Sequence, residues 1–155
     1  MIEALLLALA LAMDAFAVAL TQGARFRPGT RGGLAIAFTF GLFQGVMPLI
    51  GWAIGAFALA YVEAIDHWIA FALLGFLGLR MLGGHVGEEE AAQSLTGRAL
   101  IVAGVATSID ALAAGITLPT LDVAPLVAAA LIGLVTFAMS GAGVWLGRIA
   151  GDRWG

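Results

Sequence analysis

Long apolar runs separated by short polar or glycine-rich connections make up most of this chain. Five of the runs are long enough to cross a bilayer as helices. The second run is longer than a bilayer requires, so it is expected to tilt or bend. The pattern predicts an all-α integral membrane protein, a polytopic helical bundle that forms a single transmembrane domain. The predicted spans are residues 2–21, 34–61, 67–82, 99–118 and 124–146.

Composition supports this fold class. The chain is 62% hydrophobic and 11% charged, whereas soluble domains are about half apolar. It has no cysteine, which excludes disulfides and thiolate metal sites. The net charge of −3 gives no reason to expect a nucleic-acid partner. Membrane lipid is therefore the predicted environment, and nothing in the composition suggests an enzyme.

The arginines predict the orientation of the bundle. In a five-span chain all seven arginines lie on one side, while the opposite side carries only acidic charges such as Glu3, Glu63 and Asp66. The positive-inside rule places the arginine-bearing side in the cytoplasm. We therefore predict an external amino terminus, a cytoplasmic loop at 83–98 and a cytoplasmic carboxyl terminus for this five-span chain.

Two aspartates, Asp14 and Asp110, interrupt the first and fourth spans in similar Asp-Ala contexts. A carboxylate at the centre of a bilayer costs about 2.5–3.5 kcal/mol, which makes each one a candidate functional residue. Thr107, Ser108 and Thr117 give Asp110 small, weakly polar neighbours, so we expect both carboxylates to point into the bundle. The alternative is a pair of structural aspartates bonded to Ser or Thr hydroxyls.

The sequence also contains an internal repeat. An offset of 96 residues aligns the Asp14 region with the Asp110 region, and an offset of 92 aligns glycines of the second span with those of the fifth. A unit of three spans is odd, so its second copy enters the membrane from the opposite side. We predict an inverted repeat of three transmembrane helices, with repeat 1 over 1–84, an incomplete repeat 2 over 98–155, and the sixth helix absent from this chain.

Gln44 is the third candidate ligand. Pro48 removes the backbone hydrogen bond to the Gln44 carbonyl, so this residue offers side-chain and backbone oxygens together. With Asp14 and Asp110, these oxygens suit a hard divalent cation such as Mn²⁺ or Mg²⁺. The alternative is a proline kink used only for packing. Met13, near the same depth, either biases the site toward a softer transition metal or belongs to the ordinary core.

Proton exchange follows from the same carboxylates. A low-dielectric site disfavours bare charge, so at least one aspartate is expected to carry a proton when metal is absent. Metal binding would displace that proton. Arg80, at the cytoplasmic end of the third span, either snorkels to the interface or pairs with an acidic group during gating. No resident cofactor is predicted.

Five short motifs carry a resemblance to a known family. They lie in order at residues 13–17, 48–52, 67–71, 78–81 and 107–111. In these motifs and along the whole chain, the sequence resembles the MntP family of manganese efflux pumps. The resemblance implies a bacterial inner-membrane exporter with six spans, whose functional positions correspond to Asp14, Asp110 and Gln44. Gln44 is neutral here, whereas some members carry glutamate at that position.

The predicted function is manganese efflux by a secondary transporter that exchanges Mn²⁺ for protons, with the metal as substrate. Two alternatives stay open. One is a truncated or non-transporting membrane subunit that needs a partner chain, because the chain stops where a sixth span would begin. The other is an exporter of a different divalent metal. Assembly into a homo-oligomer is also left open.

Overall fold

Five helices with described bounds make up most of the described part of the protein. The computed structural model describes residues 2–61, 93–118 and 123–154, together with five positions between 71 and 79. In these ranges every regular element is a helix. The predicted third span and Arg80 lie largely or wholly outside the described residues. The helices are α1 (Ile2–Phe26), α2 (Thr30–Tyr61), α3 (Gly97–Thr107), α4 (Ile109–Thr117) and α5 (Pro125–Trp154).

The described helices include four that are long and apolar enough to cross a membrane. They correspond to the predicted first, second, fourth and fifth spans, which confirms a multi-pass helical membrane protein. The first helix continues to Phe26, beyond the predicted end, and stops where Arg27 takes a φ of 46°. Arg27 precedes Pro28, and a residue before proline avoids the helical region. The four spans are Ile2–Phe26, Thr30–Phe57, Gly97–Ile116 and Pro125–Asp152.

Helices α1 and α5 pack in parallel through glycines. A Cβ on Gly143 would lie 2.9 Å from the carbonyl oxygen of Phe16. Eight residues further along both helices, a Cβ on Gly151 would lie 2.6 Å from the carbonyl oxygen of Ala24. The contacts advance in the same direction on both helices, so the two run parallel. Only glycine allows backbones to approach this closely.

Helices α2 and α4 form a second parallel pair of the same kind. Gly51 of α2 lies against the carbonyl oxygen of Leu112, and a Cβ on Gly55 would lie 2.7 Å from the carbonyl oxygen of Ile116. Both glycines meet the backbone of α4 in order of increasing residue number. Pro48, one turn earlier in α2, is buried, and the helix continues through it.

The two pairs join where α2 crosses α5. A Cβ on Gly41 would lie 2.9 Å from the carbonyl oxygen of Gly133, and one on Gly133 would lie 2.9 Å from the carbonyl oxygen of Gly41. Gly45, one turn later, approaches Ala129, one turn earlier in α5. The contacts advance in opposite directions, so α2 and α5 are antiparallel.

One end of the bundle holds several arginines and a buried glutamine. Gln22 donates from Nε2 to the carbonyl of Gln93 (2.9 Å) and accepts at Oε1 from the N–H of Leu95 (3.1 Å). Arg148 donates to the carbonyl of Pro28. These contacts bring the end of α1, the start of α2, the segment before α3 and the later part of α5 together. Arg27 also pairs with Asp152 at 3.0 Å, on the surface.

Candidate cation site

The fourth span is interrupted at Ser108, immediately before Asp110. Ser108 has φ −112° and ψ 9°, and its N–H donates to the carbonyl of Val105, three residues back, at 3.2 Å. Helix α4 then starts at Ile109, so Asp110 lies in its first turn. Oδ1 of Asp110 accepts the N–H of Ala111 at 2.8 Å. A carboxylate is favoured at this end of a helix, because the backbone N–H groups there carry partial positive charge.

Hydroxyl groups account for the interruption. Thr107 Oγ1 donates to the carbonyl of Ala103 at 2.9 Å, and Ser108 Oγ donates to that of Gly104 at 2.5 Å. Such bonds from Ser and Thr to carbonyls of the previous turn bend helices. Both side chains are buried. Each hydroxyl already donates its proton to a backbone carbonyl. The role of these two residues beside Asp110 is therefore at least a structural one, namely to bend the helix.

Gln44 presents a buried oxygen with no hydrogen-bond donor. The residue is 0% exposed, and its Nε2 donates to the carbonyl of Leu11 at 2.6 Å. Because the carbonyl of Leu11 can only accept a hydrogen bond, the amide group that faces it must be the NH₂, which leaves Oε1 as the free end. Oε1 has no hydrogen-bond partner in the described part of the chain. An unpaired buried acceptor costs about 1–3 kcal/mol, so it is expected to serve a ligand.

Gln44 and Asp110 approach the same buried cluster. Leu11 of α1 and Ala111 of α4 pack together in it, with Met47 of α2 against them. Leu11 accepts the bond from Gln44, and Ala111 follows Asp110 directly. Gly51 contacts both Leu112 and Gly115, so counting back two residues from the first contact and five from the second places Asp110 at the depth of residues 46–49 of α2. The structure thus brings the helix turns that carry Gln44 and Asp110 together.

Asp14 does not share this interior position. Its side chain is exposed in the described structure, next to Met13, which is 54% exposed. Among the described residues Asp14 therefore does not point into the bundle, and Met13 is exposed rather than buried in the core. The cause is the small-residue stripe of α1, which includes Ala15 and Ala19 and packs close to α5. Asp14 lies beside that stripe, so packing turns it outward.

Two hydroxyls belong with these candidates although the sequence did not single them out. Thr136 and Ser140 of α5 are each 0% exposed, and neither hydroxyl has a hydrogen-bond partner among the described residues. The sequence contains a pattern that could have identified them: they follow Gln44 and Pro48 by 92 residues, the same offset that aligns the glycines. Thr117 ends α4, and the predicted role of its side chain falls outside the described part.

The candidate metal ligands are oxygen atoms, and few of them are charged. Among the described residues, no three His, Cys, Asp or Glu side chains come together. The oxygen ligands that remain are the carboxylate of Asp110, the amide oxygen of Gln44 and the buried hydroxyls of Thr136 and Ser140. Neutral oxygens with a carboxylate suit hard divalent cations rather than thiolate-bound metals.

Known proteins resemble this chain along almost all of its length. The family model described as "Putative manganese efflux pump" matches residues 27–155. "Putative manganese efflux pump MntP 1" of Wolinella succinogenes is 46% identical over 155 residues, which covers 99% of this chain and 85% of that protein. "Putative manganese efflux pump MntP" of Oleidesulfovibrio alaskensis is 48% identical over 150 residues, covering 94% and 79%.

A more distant relative gives the same result. The protein of that name from Corynebacterium glutamicum is 40% identical over 162 aligned positions, covering 99% of this chain and 85% of the relative. No solved structure matches the chain. Because the family model covers most of the chain and the relatives align over nearly all of it, this protein belongs to the MntP family.

Proposed function

We propose that this protein exports Mn²⁺ across the bacterial inner membrane, as a secondary transporter that exchanges the metal for protons. The observation that carries the proposal is the buried Gln44 oxygen without a donor, packed beside the interrupted helix that bears Asp110. Interrupted membrane helices typically form the ion sites of secondary transporters. The names of the relatives identify manganese among the hard cations that such oxygens accept.

An inverted repeat explains how the site is built. Gly51 meets Leu112 and Gly143 meets Phe16, and the partners in these two contacts differ by the same offsets of 92 and 96 that align the sequence. The crossing of Gly41 with Gly133 is reciprocal, as expected at a pseudo-twofold axis. The directions support inversion, because α1 is parallel to α5 and α2 to α4, while α2 and α5 are antiparallel. Binding sites of such transporters lie where the repeats meet.

The arginine-bearing end of the bundle is placed in the cytoplasm. Arg27, Arg148 and Gln22 join helix ends there, and the positive-inside rule assigns this side. The amino terminus is then external. Metal enters from this end, reaches Asp110 and Gln44 and leaves on the opposite side after the repeats rock against each other.

Asp14 is exposed on the surface of the described bundle, and we assign it a role in transport as well. A carboxylate left in lipid at this depth costs about 2.5–3.5 kcal/mol. We therefore propose that Asp14 lines the cation path. Replacing Asp14 by Asn is expected to lower manganese export by about tenfold, a size typical of groups that support a metal site.

The matched control for Asp14 is Asp152→Asn. Asp152 pairs with Arg27 on the surface, and exposed pairs contribute about 0–1 kcal/mol. Export is measured as ⁵⁴Mn²⁺ uptake by inside-out vesicles at matched protein levels. Equal uptake by Asp14→Asn, Asp152→Asn and the unmodified protein would exclude Asp14 from the path.

Proton exchange and metal choice are tested in the same vesicles. Addition of Mn²⁺ should move protons in the opposite direction, which a pH-sensitive dye inside the vesicles reports. Competing Fe²⁺, Zn²⁺ or Mg²⁺ should reduce ⁵⁴Mn²⁺ uptake less than unlabelled Mn²⁺ does. Uptake without a proton signal would refute the exchange, and stronger competition by another metal would reassign the substrate.

A further inference from the structure

In the described structure, the buried hydroxyls of Thr136 and Ser140 lack the hydrogen bond to their own helix that Thr21, Thr107 and Ser108 make. Thr21, Thr107 and Ser108 each donate to a carbonyl one turn earlier in their own helical segment. Thr136 and Ser140 make no such bond in the described structure, although both are fully buried. Ser and Thr in membrane helices ordinarily satisfy themselves in this way. The hydroxyl groups of Thr136 and Ser140 are therefore available to a ligand from outside their own helix.

The position of these hydroxyls relates them to Gln44. Ile132, Thr136 and Ser140 form one buried stripe of α5, four residues apart. Phe40, Gln44 and Pro48 form the corresponding stripe of α2, 92 residues earlier. Thr136 thus stands in α5 where Gln44 stands in α2. Each of the two residues has a buried oxygen without a partner in the described part.

The same stripe reaches the depth of Asp14. Gly143 contacts Phe16 in the parallel pair of α1 and α5, so counting back three residues on both helices places Ser140 at the depth of Met13, the residue before Asp14. At the other end of the stripe, Ile132 packs with Leu11 and Ala111 in the cluster beside Gln44. The stripe therefore extends from the Gln44 region toward the arginine-bearing end.

We propose that Thr136 and Ser140 bind the transported cation through their hydroxyl oxygens, as the counterpart of Gln44 in the second repeat. This proposal rests on the transport function proposed above and adds two ligand residues to it. Neutral hydroxyl oxygens suit a hard divalent cation. They form a second oxygen-lined position, on the side from which metal enters, before the position formed by Gln44 and Asp110.

The test is a binding measurement on the purified full chain in detergent. Free Mn²⁺ is titrated by electron paramagnetic resonance against the unmodified protein and against the Thr136→Val/Ser140→Ala double variant. We expect the variant to bind Mn²⁺ about tenfold more weakly, and its KM in vesicles to rise by the same factor. Thermal stability should hold or rise, because the substitutions remove unpaired polar groups. The single variant Thr136→Ser, which keeps a hydroxyl at this position, should retain most of the Mn²⁺ affinity of the unmodified protein.

The control is Thr21→Val, which removes a hydroxyl already bonded to the carbonyl of Ala17. Binding and KM of the double variant equal to those of this control would overturn the proposal, while leaving manganese transport by the unmodified protein standing. If the unmodified protein bound Mn²⁺ but did not transport it, the transport function would fail, and the affinity difference would still decide the role of the hydroxyls. Absence of binding by the unmodified protein would overturn both.

Discussion

Replacing Asp110 by Asn is expected to abolish manganese export. Asn keeps the size of the side chain and can still accept the N–H of Ala111, but it removes the negative charge that attracts a divalent cation. We expect the export rate to fall by about 100-fold, the upper end of what is lost when a metal site is damaged. The measurement is growth of an exporter-deficient strain in manganese, with the membrane content of the protein determined in parallel.

Asp110→Glu serves as the charge-preserving comparison. It moves the carboxylate by one methylene, so partial resistance should remain. Full resistance of the Asp110→Asn strain at matched protein content would exclude Asp110 from the site. Equal loss in both variants would point to an effect on packing at the interrupted helix rather than on charge.

Replacing Gly147 by Ala is expected to lower the stability of the protein strongly. Gly147 packs against the backbone of α1, and an added Cβ would overlap the carbonyl oxygen of Leu20. The helices must separate, because neither backbone can rotate out of the way. Overpacking of this kind costs about 1–3 kcal/mol, and we expect the upper end because the contact is with backbone. The measurement is the thermal unfolding midpoint of the purified protein in detergent.

Gly141→Ala is the matched control, on the same helix and less than two turns earlier. A Cβ there would lie 3.9 Å from the Cβ of Ala37, an ordinary contact. Gly141→Ala should therefore leave the unfolding midpoint unchanged or raise it slightly, because alanine favours helix over glycine. Similar midpoints for the two variants would contradict the close packing of α1 and α5.

The sequence predicted the spans well because bilayer thickness constrains them strongly. Apolar length alone placed four helices that the structure describes, including α2 with Pro48 inside it. The glycines that align at an offset of 92 make close contacts in the structure, since Gly51 and Gly143 both pack against backbone. Periodicity carries this information because small residues are needed wherever two membrane helices approach.

The orientation of individual side chains was harder to predict. Asp14 and Asp110 have similar sequence contexts, yet one is exposed and the other partly buried. The difference arises from packing partners, which a linear pattern does not contain. The interruption at Ser108 carried no glycine or proline signal, because hydroxyl bonds to the previous turn produce it. Thr136 and Ser140 were missed for a related reason, since only tertiary structure reveals that their hydroxyls lack partners.

Anomalous diffraction at the manganese edge tests the central claim most directly. Crystals of the full chain grown with Mn²⁺ should show an anomalous peak within coordination distance of both the Asp110 carboxylate and Gln44 Oε1. A bound ion at this position would explain why the buried amide oxygen has no donor in the described structure. A fully occupied manganese peak elsewhere in the membrane region, with these two oxygens bonded to other groups, would contradict the account.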